Sequence, residues 1–352
     1  MKIIDCDSHV LPQTMFQNIP QEHRVNTPRF TFSEEGKLLD VICGRDPIGV
    51  AENTSPASAF GEIAGMTNIT QRIKDFKKLQ ITKQLLGPQE WAMRFNYSVD
   101  PKLAVEMCKD FNNEVKKIVD SYHEYFFAAA VLPLQNMPEA VKELNRAISN
   151  GFKIIYVDQT FHTRDANMCI SQVPGIDEVF DICQKNNVVV FFHGMMHHTY
   201  PFQDLYRNIS HFLPTPIQLN LYSLIADGVF DRFPTLQVVF AEGADVVAPG
   251  VFKVIEQVYN YRRLSNHLKR TPLEYFKNNI SFTIDIERTQ SFNFLLKTFG
   301  SERLLFSTDY PHDDDSGKNQ LNDVNDLLAL NLPQADLENI AYKNAERLFQ
   351  LL

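Results

Sequence analysis

Residues 3–12 read IIDCDSHVLP. Asp5, Asp7 and His9 alternate directly behind an apolar start, and in a β-strand alternate side chains share one face. Carboxylates and imidazoles are the groups that hold divalent metals and carry protons. Further along, His193 closes the apolar run NVVVFFHG (187–194), Glu242 closes LQVVFAEG (236–243), and Asp309 lies at the end of RLLFSTDYP (303–311). Two carboxylates and two imidazoles delivered by different strands make a divalent-metal cage. Taken singly, a histidine at a strand end is as readily a hydrogen-bonded structural residue, and an aspartate there a helix cap. Their shared placement is what points to a metal.

Placing such groups together is the task of the elements that carry them. Eight short β-type runs recur along the chain: 2–8, 83–88, 125–133, 152–158, 187–194, 236–243, 279–285 and 303–311. Between most of them lie helical patterns, including NITQRIKDFKKLQ, AVEMCKDFNNEVKKIVDSY, PEAVKELNRAISN and GIDEVFDICQKN. Helix-start signals stand at Thr67 or Asn68 and at Pro138. Apolar strands that each feed a helix imply a covered parallel sheet. Eight such units predict an α/β fold of the (β/α)8 TIM-barrel class, in which chemistry lies at the C-terminal ends of the strands. Asp7, His9, His193, Glu242 and Asp309 all fall at such ends. Residues 12–66 break the alternation and carry Pro, Gly and charged residues. They are expected to be a lid-like insertion after strand 1 within a single domain spanning 1–352.

Composition narrows the function. The 352 residues carry a formal net charge of −9, which argues against nucleic-acid or anionic-membrane binding. Five cysteines without metal-type spacing read as reduced thiols of a cytoplasmic protein. The opening MKIID runs straight into a strand, so no signal peptide is expected. No apolar run approaches the roughly 20 residues of a membrane span.

The same residues carry a resemblance. The chain resembles the amidohydrolase superfamily, in the branch similar to aminocarboxymuconate-semialdehyde decarboxylase, which also holds resorcylate-type decarboxylases and some hydrolases and hydratases. DCDSHVLP matches the family's opening Asp-x-His-x-His strand, with Asp7 where the first His usually stands. LYSLIADGVFDRFPTLQVVFAEG, LLFSTDYPH and NIAYKNAERLF match further family segments, so the likeness runs from residue 2 to about 349. It implies Asp7, His9, His193 and Asp309 as ligands of one divalent metal, zinc or manganese. Such a metal polarises a substrate oxygen or acidifies water. Asp309 would also exchange a proton.

Two departures bear on the reaction. Asp7 adds an anionic ligand, which moves preference from zinc towards manganese, iron or magnesium; its bland alternative is a local hydrogen bond. Glu242, in FAEGAD, stands where the decarboxylases carry a proton-transferring His. It is a proton carrier if burial raises its pKa, a ligand or orienter if a cation holds it ionised, or a salt-bridge residue at the rim. Catalytic candidates are therefore Asp309, Glu242, His197 and His198, the last two from the loop HGMMHH. Trp91, Arg94 and His312 are candidates for substrate binding, with Arg suited to a carboxylate. Lys153 falls at the start of its strand, the wrong end for bridging two metals. Arg45 belongs to the insertion.

The expected function is a metal-dependent hydrolase or decarboxylase of a small aromatic or unsaturated carboxylic acid. An ionised Glu242 tilts the reading towards hydrolysis. The alternatives are the decarboxylase and a non-catalytic metal-binding barrel. The expected partner is a small molecule, and the helix VFKVIEQVYNYRRL could serve a homodimer interface or outer packing.

Overall fold

The computed structural model describes residues 1–27, 29–34, 38–42, 64–89, 100–158, 161–163, 166–193, 215–241, 247, 249–261, 264–284, 289–311 and 323–351. They form two compact units, Met1–Phe152 with Ser307–Leu330 and Lys153–Phe306 with Asn331–Leu352.

In the first unit the strands are β1 (Ile4–Asp5), β2 (His9–Val10), β3 (Arg29–Phe32), β4 (Leu38–Ile42), β5 (Lys83–Pro88), β6 (Phe126–Ala128) and β7 (Ala130–Val131). Both β1 and β2 run parallel to β5, with Ile4 opposite Lys83 and His9 opposite Gly87. On β5, Gln84 also faces Phe126 of β6. Strands β3 and β4 form an antiparallel hairpin within 12–66. The ends of that stretch meet, because Leu11 N donates to the Met66 carbonyl at 3.0 Å.

The opening run differs from the single strand expected. It breaks at Cys6–Ser8, where the Asp7 amide turns to Asp5 Oδ1 at 3.3 Å and Ser8 forms a parallel bridge with Tyr310. Asp5 therefore does not share one continuous strand with Asp7 and His9.

The helix Ile69–Lys78 starts where the sequence signals it, with the Asn68 side chain accepting from Gln71 N at 3.0 Å. It buries Arg72 and Phe76. Phe76 meets Tyr125 and Phe126 edge-on at 5.5 and 5.6 Å. Its truncation to Ala would cost about 3–5 kcal/mol. The helix Met137–Ser149 carries Pro138 in its first turn, as the sequence indicates. Asn112, on the helix Pro101–Ser121, donates to the Val131 carbonyl at 2.9 Å and to Glu143 at 2.7 Å and accepts from Val131 N at 2.8 Å. One buried amide thus fixes its helix against β7 and the helix Met137–Ser149.

In the second unit the strands are β8 (Ile154–Asp158), β9 (Phe161–Thr163), β10 (Ala166–Met168), β11 (Val189–His193), β12 (Val238–Phe240), β13 (Ile280–Ile284) and β14 (Leu304–Phe306). A parallel sheet runs β8-β11-β12-β13-β14. Strands β11, β12, β13 and β14 are buried along their whole length, as expected of strands covered on both faces. Ring stacks tie neighbouring strands: Tyr156 on Phe191 at 5.1 Å and Phe192 on Phe240 at 4.8 Å. Helices follow the strands, among them Ile176–Asn186 after β8, Pro249–Tyr261 after β12 and Thr289–Phe299 after β13. Lys153 immediately precedes β8, as expected. On Pro249–Tyr261, Phe252 and Ile255 pack inward while Val254, Val258 and Tyr261 are exposed. Among the described residues no helix is long and apolar enough to cross a membrane.

Gly65 gives a direct test of packing in the first unit. A Cβ built there would lie 1.7 Å from the Tyr310 hydroxyl, which donates to Asp75 at 2.9 Å. Gly65→Ala should displace that ring and lower stability by about 1–3 kcal/mol, the usual cost of overpacking. Urea unfolding measures it, and an unchanged midpoint would contradict the packing described.

Candidate metal centre

His9 is the best-defined member of the centre. It is fully buried and pairs with Gly87 at the C-terminal end of β5. Its Nδ1 lies 2.9 Å from the Pro88 carbonyl oxygen. A carbonyl only accepts, so Nδ1 carries the proton. In the neutral ring Nε2 then presents its lone pair, and it faces Asp309 Oδ1 at 2.8 Å. Two electron pairs at that distance are compatible only with a proton or a cation drawing both. The donor set fits a divalent ion: a buried imidazole with its tautomer fixed by a carbonyl and a carboxylate aimed at it. Asp7 adds a second carboxylate, this one buried, its ligand atom within 4.8 Å of that of His9.

Asp309 is held in an unusual backbone conformation, with φ at +51°. That is left-handed territory, which Asp tolerates better than most residues. Its amide donates to the Asp7 carbonyl at 3.0 Å, and the next carbonyl, that of Tyr310, accepts from His9 N at 2.6 Å. The main chains of two proposed ligand segments are thus joined directly. Cys6, between the two aspartates, is not part of the donor set. Its Sγ donates to the Ile4 carbonyl at 3.5 Å, and burial beside Asp5 and Asp7 pushes its thiol well up, so it stays neutral.

Behind these residues lies a buried polar chain. Arg72, with no exposed surface, donates through Nε to Gln84 Oε1 at 2.7 Å, to the His9 carbonyl at 2.5 Å and to Ser8 Oγ at 2.6 Å. Its guanidinium also lies 4.7 Å above the centre of the Tyr310 ring. Gln84 Nε2 donates to Asp5 at 2.6 Å, and Asp5 accepts from Thr308 Oγ1 at 2.7 Å and Thr308 N at 3.0 Å. Burial raises the Asp5 carboxyl to about 6, against the lowering effect of these bonds. Burial lowers Arg72 to about 10. Both groups stay mainly charged at neutral pH.

In the second unit His193 is the last residue of β11, opposite Asp158 of β8. Its ring stacks on Tyr156 with centroids 5.5 Å apart, which orients the imidazole at the strand's C-terminal end, as the sequence indicates. Glu242, His197, His198, Trp91, Arg94, Arg45 and His312 lie outside the described residues.

Sequence reasoning did not assign Asp5, Arg72, Gln84, Thr308 or Tyr310 a role. One signal was available. Arg72, Phe76 and Leu79 share the i, i+4, i+7 spacing of a buried helix stripe, and all three are buried. A guanidinium in that stripe requires buried polar partners.

The chain matches the family described as Amidohydrolase over residues 4–351. It is similar to 2-amino-3-carboxymuconate-6-semialdehyde decarboxylase of Dictyostelium discoideum, 24% identical over 253 residues, which span 68% of this chain and 66% of that protein. It is also similar to gamma-resorcylate decarboxylase of Rhizobium sp. (strain MTP-10005), 24% identical over 265 residues, which span 72% and 78% of the two chains. A crystal structure of 5-carboxyvanillate decarboxylase from Novosphingobium aromaticivorans, complexed with manganese and 4-hydroxy-3-methoxy-5-nitrobenzoic acid, superposes with a TM-score of 0.78 at 15% identity and covers 99% of this chain and 96% of that one. The α/β, (β/α)8-barrel fold class expected from the strand and helix alternation is the fold of these neighbours. On the match of nearly its whole length, the chain belongs to the amidohydrolase family.

Proposed function

We propose that the protein is a metal-dependent carboxy-lyase of a small aromatic or unsaturated carboxylic acid, with one divalent ion held by Asp7, His9, His193 and Asp309. The observation that carries the metal is the approach of His9 Nε2 to Asp309 Oδ1 with Nδ1 pinned as donor. The choice of reaction rests on the relatives, two of which are named decarboxylases of carboxylated compounds. Two carboxylates beside two imidazoles favour manganese over zinc, and the manganese-bound neighbour supports that choice.

A divalent ion bound there would supply Lewis acidity to the substrate carboxylate and an adjacent oxygen. The chain's own residues handle orientation and protons. Asp7 and His9 are sealed from solvent, whereas the Asp309 side chain is 30% exposed. Asp309 is therefore the described ligand that a substrate can reach. Decarboxylation breaks the bond from the carboxyl carbon, releases carbon dioxide and leaves the other carbon in need of one proton. We assign its delivery to Asp309, Glu242, His197 or His198, and substrate contact to Trp91, Arg94 and His312. In this reading 1–352 is one catalytic domain, and residues 12–66 cover the site. A cytoplasmic location is supported by the free, buried thiols of Cys6, Cys108 and Cys183.

Hydrolysis is the second reading, and Glu242 is the observation that favours it. A carboxylate held ionised by a cation is a poor general acid at neutral pH. The two reactions leave different isotopic records. In a panel of aromatic and muconate-type acids, the first reading predicts labelled carbon dioxide from a 13C-carboxyl substrate. The second predicts oxygen-18 from water in a product acid. Activity of either kind should vanish on chelation and return with manganese; a metal-loaded protein inert across the panel would reject both.

Glu242→Gln separates its roles. A proton carrier should keep its metal and lose about 10²–10⁴-fold in turnover, whereas a ligand should lose metal affinity. Unchanged turnover and unchanged affinity would return Glu242 to a rim salt bridge.

A further inference from the structure

The segment Thr308–Tyr310 carries Asp309, and the ladder pairing shown for it is one bridge, between Ser8 and Tyr310. Two backbone bonds, Asp309 N to the Asp7 carbonyl and His9 N to the Tyr310 carbonyl, join it to the Asp7–His9 segment, and Asp309 itself is in a left-handed conformation that its neighbours must hold. Side chains add a second set of holding groups. Thr308 bonds to Asp5 through both its amide and its hydroxyl, and that same hydroxyl accepts from Tyr310 N at 3.2 Å. Asp5 is bonded to Gln84, Gln84 to Arg72, and Arg72 to Ser8 Oγ and the His9 carbonyl. The Gln84 amide has only one workable orientation. Arg72 can only donate and the Asp5 carboxylate can only accept, so Oε1 must face the first and Nε2 the second. The chain of bonds is therefore directional and closed at both ends on ligand-bearing backbone.

We propose that Arg72, Gln84, Asp5 and Thr308 are positioning residues that fix the Asp309 segment against the Asp7–His9 segment, and so set the donor spacing and the affinity for the metal. The proposal rests on the reading that Asp7, His9 and Asp309 hold that ion. The guanidinium reaches the His9 backbone and not its ring, so the action is through geometry. Outer partners of this kind are worth about 10–100-fold in metal affinity.

Thr308→Val removes the hydroxyl with little change in shape, Thr308→Ser restores it, and Gln84→Met breaks the chain at its centre. Mn2+ titration of the chelator-stripped proteins, followed by electron paramagnetic resonance, reads affinity and ligand symmetry together. Thermal melts of the metal-free proteins read folding. Thr308→Val and Gln84→Met should bind Mn2+ about 10–100-fold more weakly, with altered line shapes, while Thr308→Ser stays near wild type. Folded Thr308→Val and Gln84→Met proteins with wild-type affinity and line shape would overturn the proposal. If Gln84→Met fails to fold, the Thr308→Val and Thr308→Ser pair decides alone. A wild-type chain that binds no Mn2+ would reject the metal reading and this proposal with it, a result distinct from tight binding by wild type and variants alike.

Discussion

A guanidinium with no exposed surface can be tolerated only where each of its nitrogens finds a partner, because stripping a charge of water costs several kcal/mol. Arg72 meets that demand with a side-chain amide, a hydroxyl, a backbone carbonyl and an aromatic face. Each partner is then constrained in return. Ser8 and His9 are fixed on the strand side, Tyr310 on the loop side, and Gln84 is committed to bridge towards Asp5. The opposite charge that balances Arg72 is thus placed two bonds away, beneath the loop that carries Asp309. Asp75, on the same helix, takes the Tyr310 hydroxyl, so one helix face secures that loop twice.

Chemistry follows from this arrangement. Fixing the backbone on both sides lets His9 Nε2 and an Asp309 oxygen stand 2.8 Å apart, with a proton or a cation between them. That is a stored demand for positive charge. The same demand explains the mix of burial: Asp7 and His9 are sealed, while Asp309 keeps part of its carboxylate exposed. A cage closed on the protein side and open on one other is what an acid substrate with an adjacent oxygen requires.

Much of this was readable in the chain. The β-type runs that carry His193 and Asp309 appear as strands or strand ends because parallel strands buried on both faces are apolar throughout, a pattern little else produces. Asn68 and Pro138 marked helix starts for local reasons that tertiary structure left intact. The opening alternation was less faithful. Asp5, Asp7 and His9 have the period of one strand, but the strand is interrupted between Asp5 and His9, where Ser8 bridges to Tyr310, and Asp5 bonds to Thr308 instead. Long-range hydrogen bonds of that kind leave no periodic trace. Gln84 was silent for the same reason, an ordinary polar residue until its distant partners are known, while Arg72 showed only its place in a buried stripe and not what it bonds.

The central claim is that a divalent ion lies between His9 and Asp309. The most direct measurement is anomalous diffraction from crystals of the protein grown with Mn2+, collected on both sides of the manganese absorption edge. One anomalous peak per chain is expected at coordinating distance from His9 Nε2, an Asp309 oxygen and an Asp7 oxygen. No peak there, with His9 and Asp309 remaining in direct contact at saturating Mn2+, would show that the pair is a proton-linked structural contact and would contradict the account.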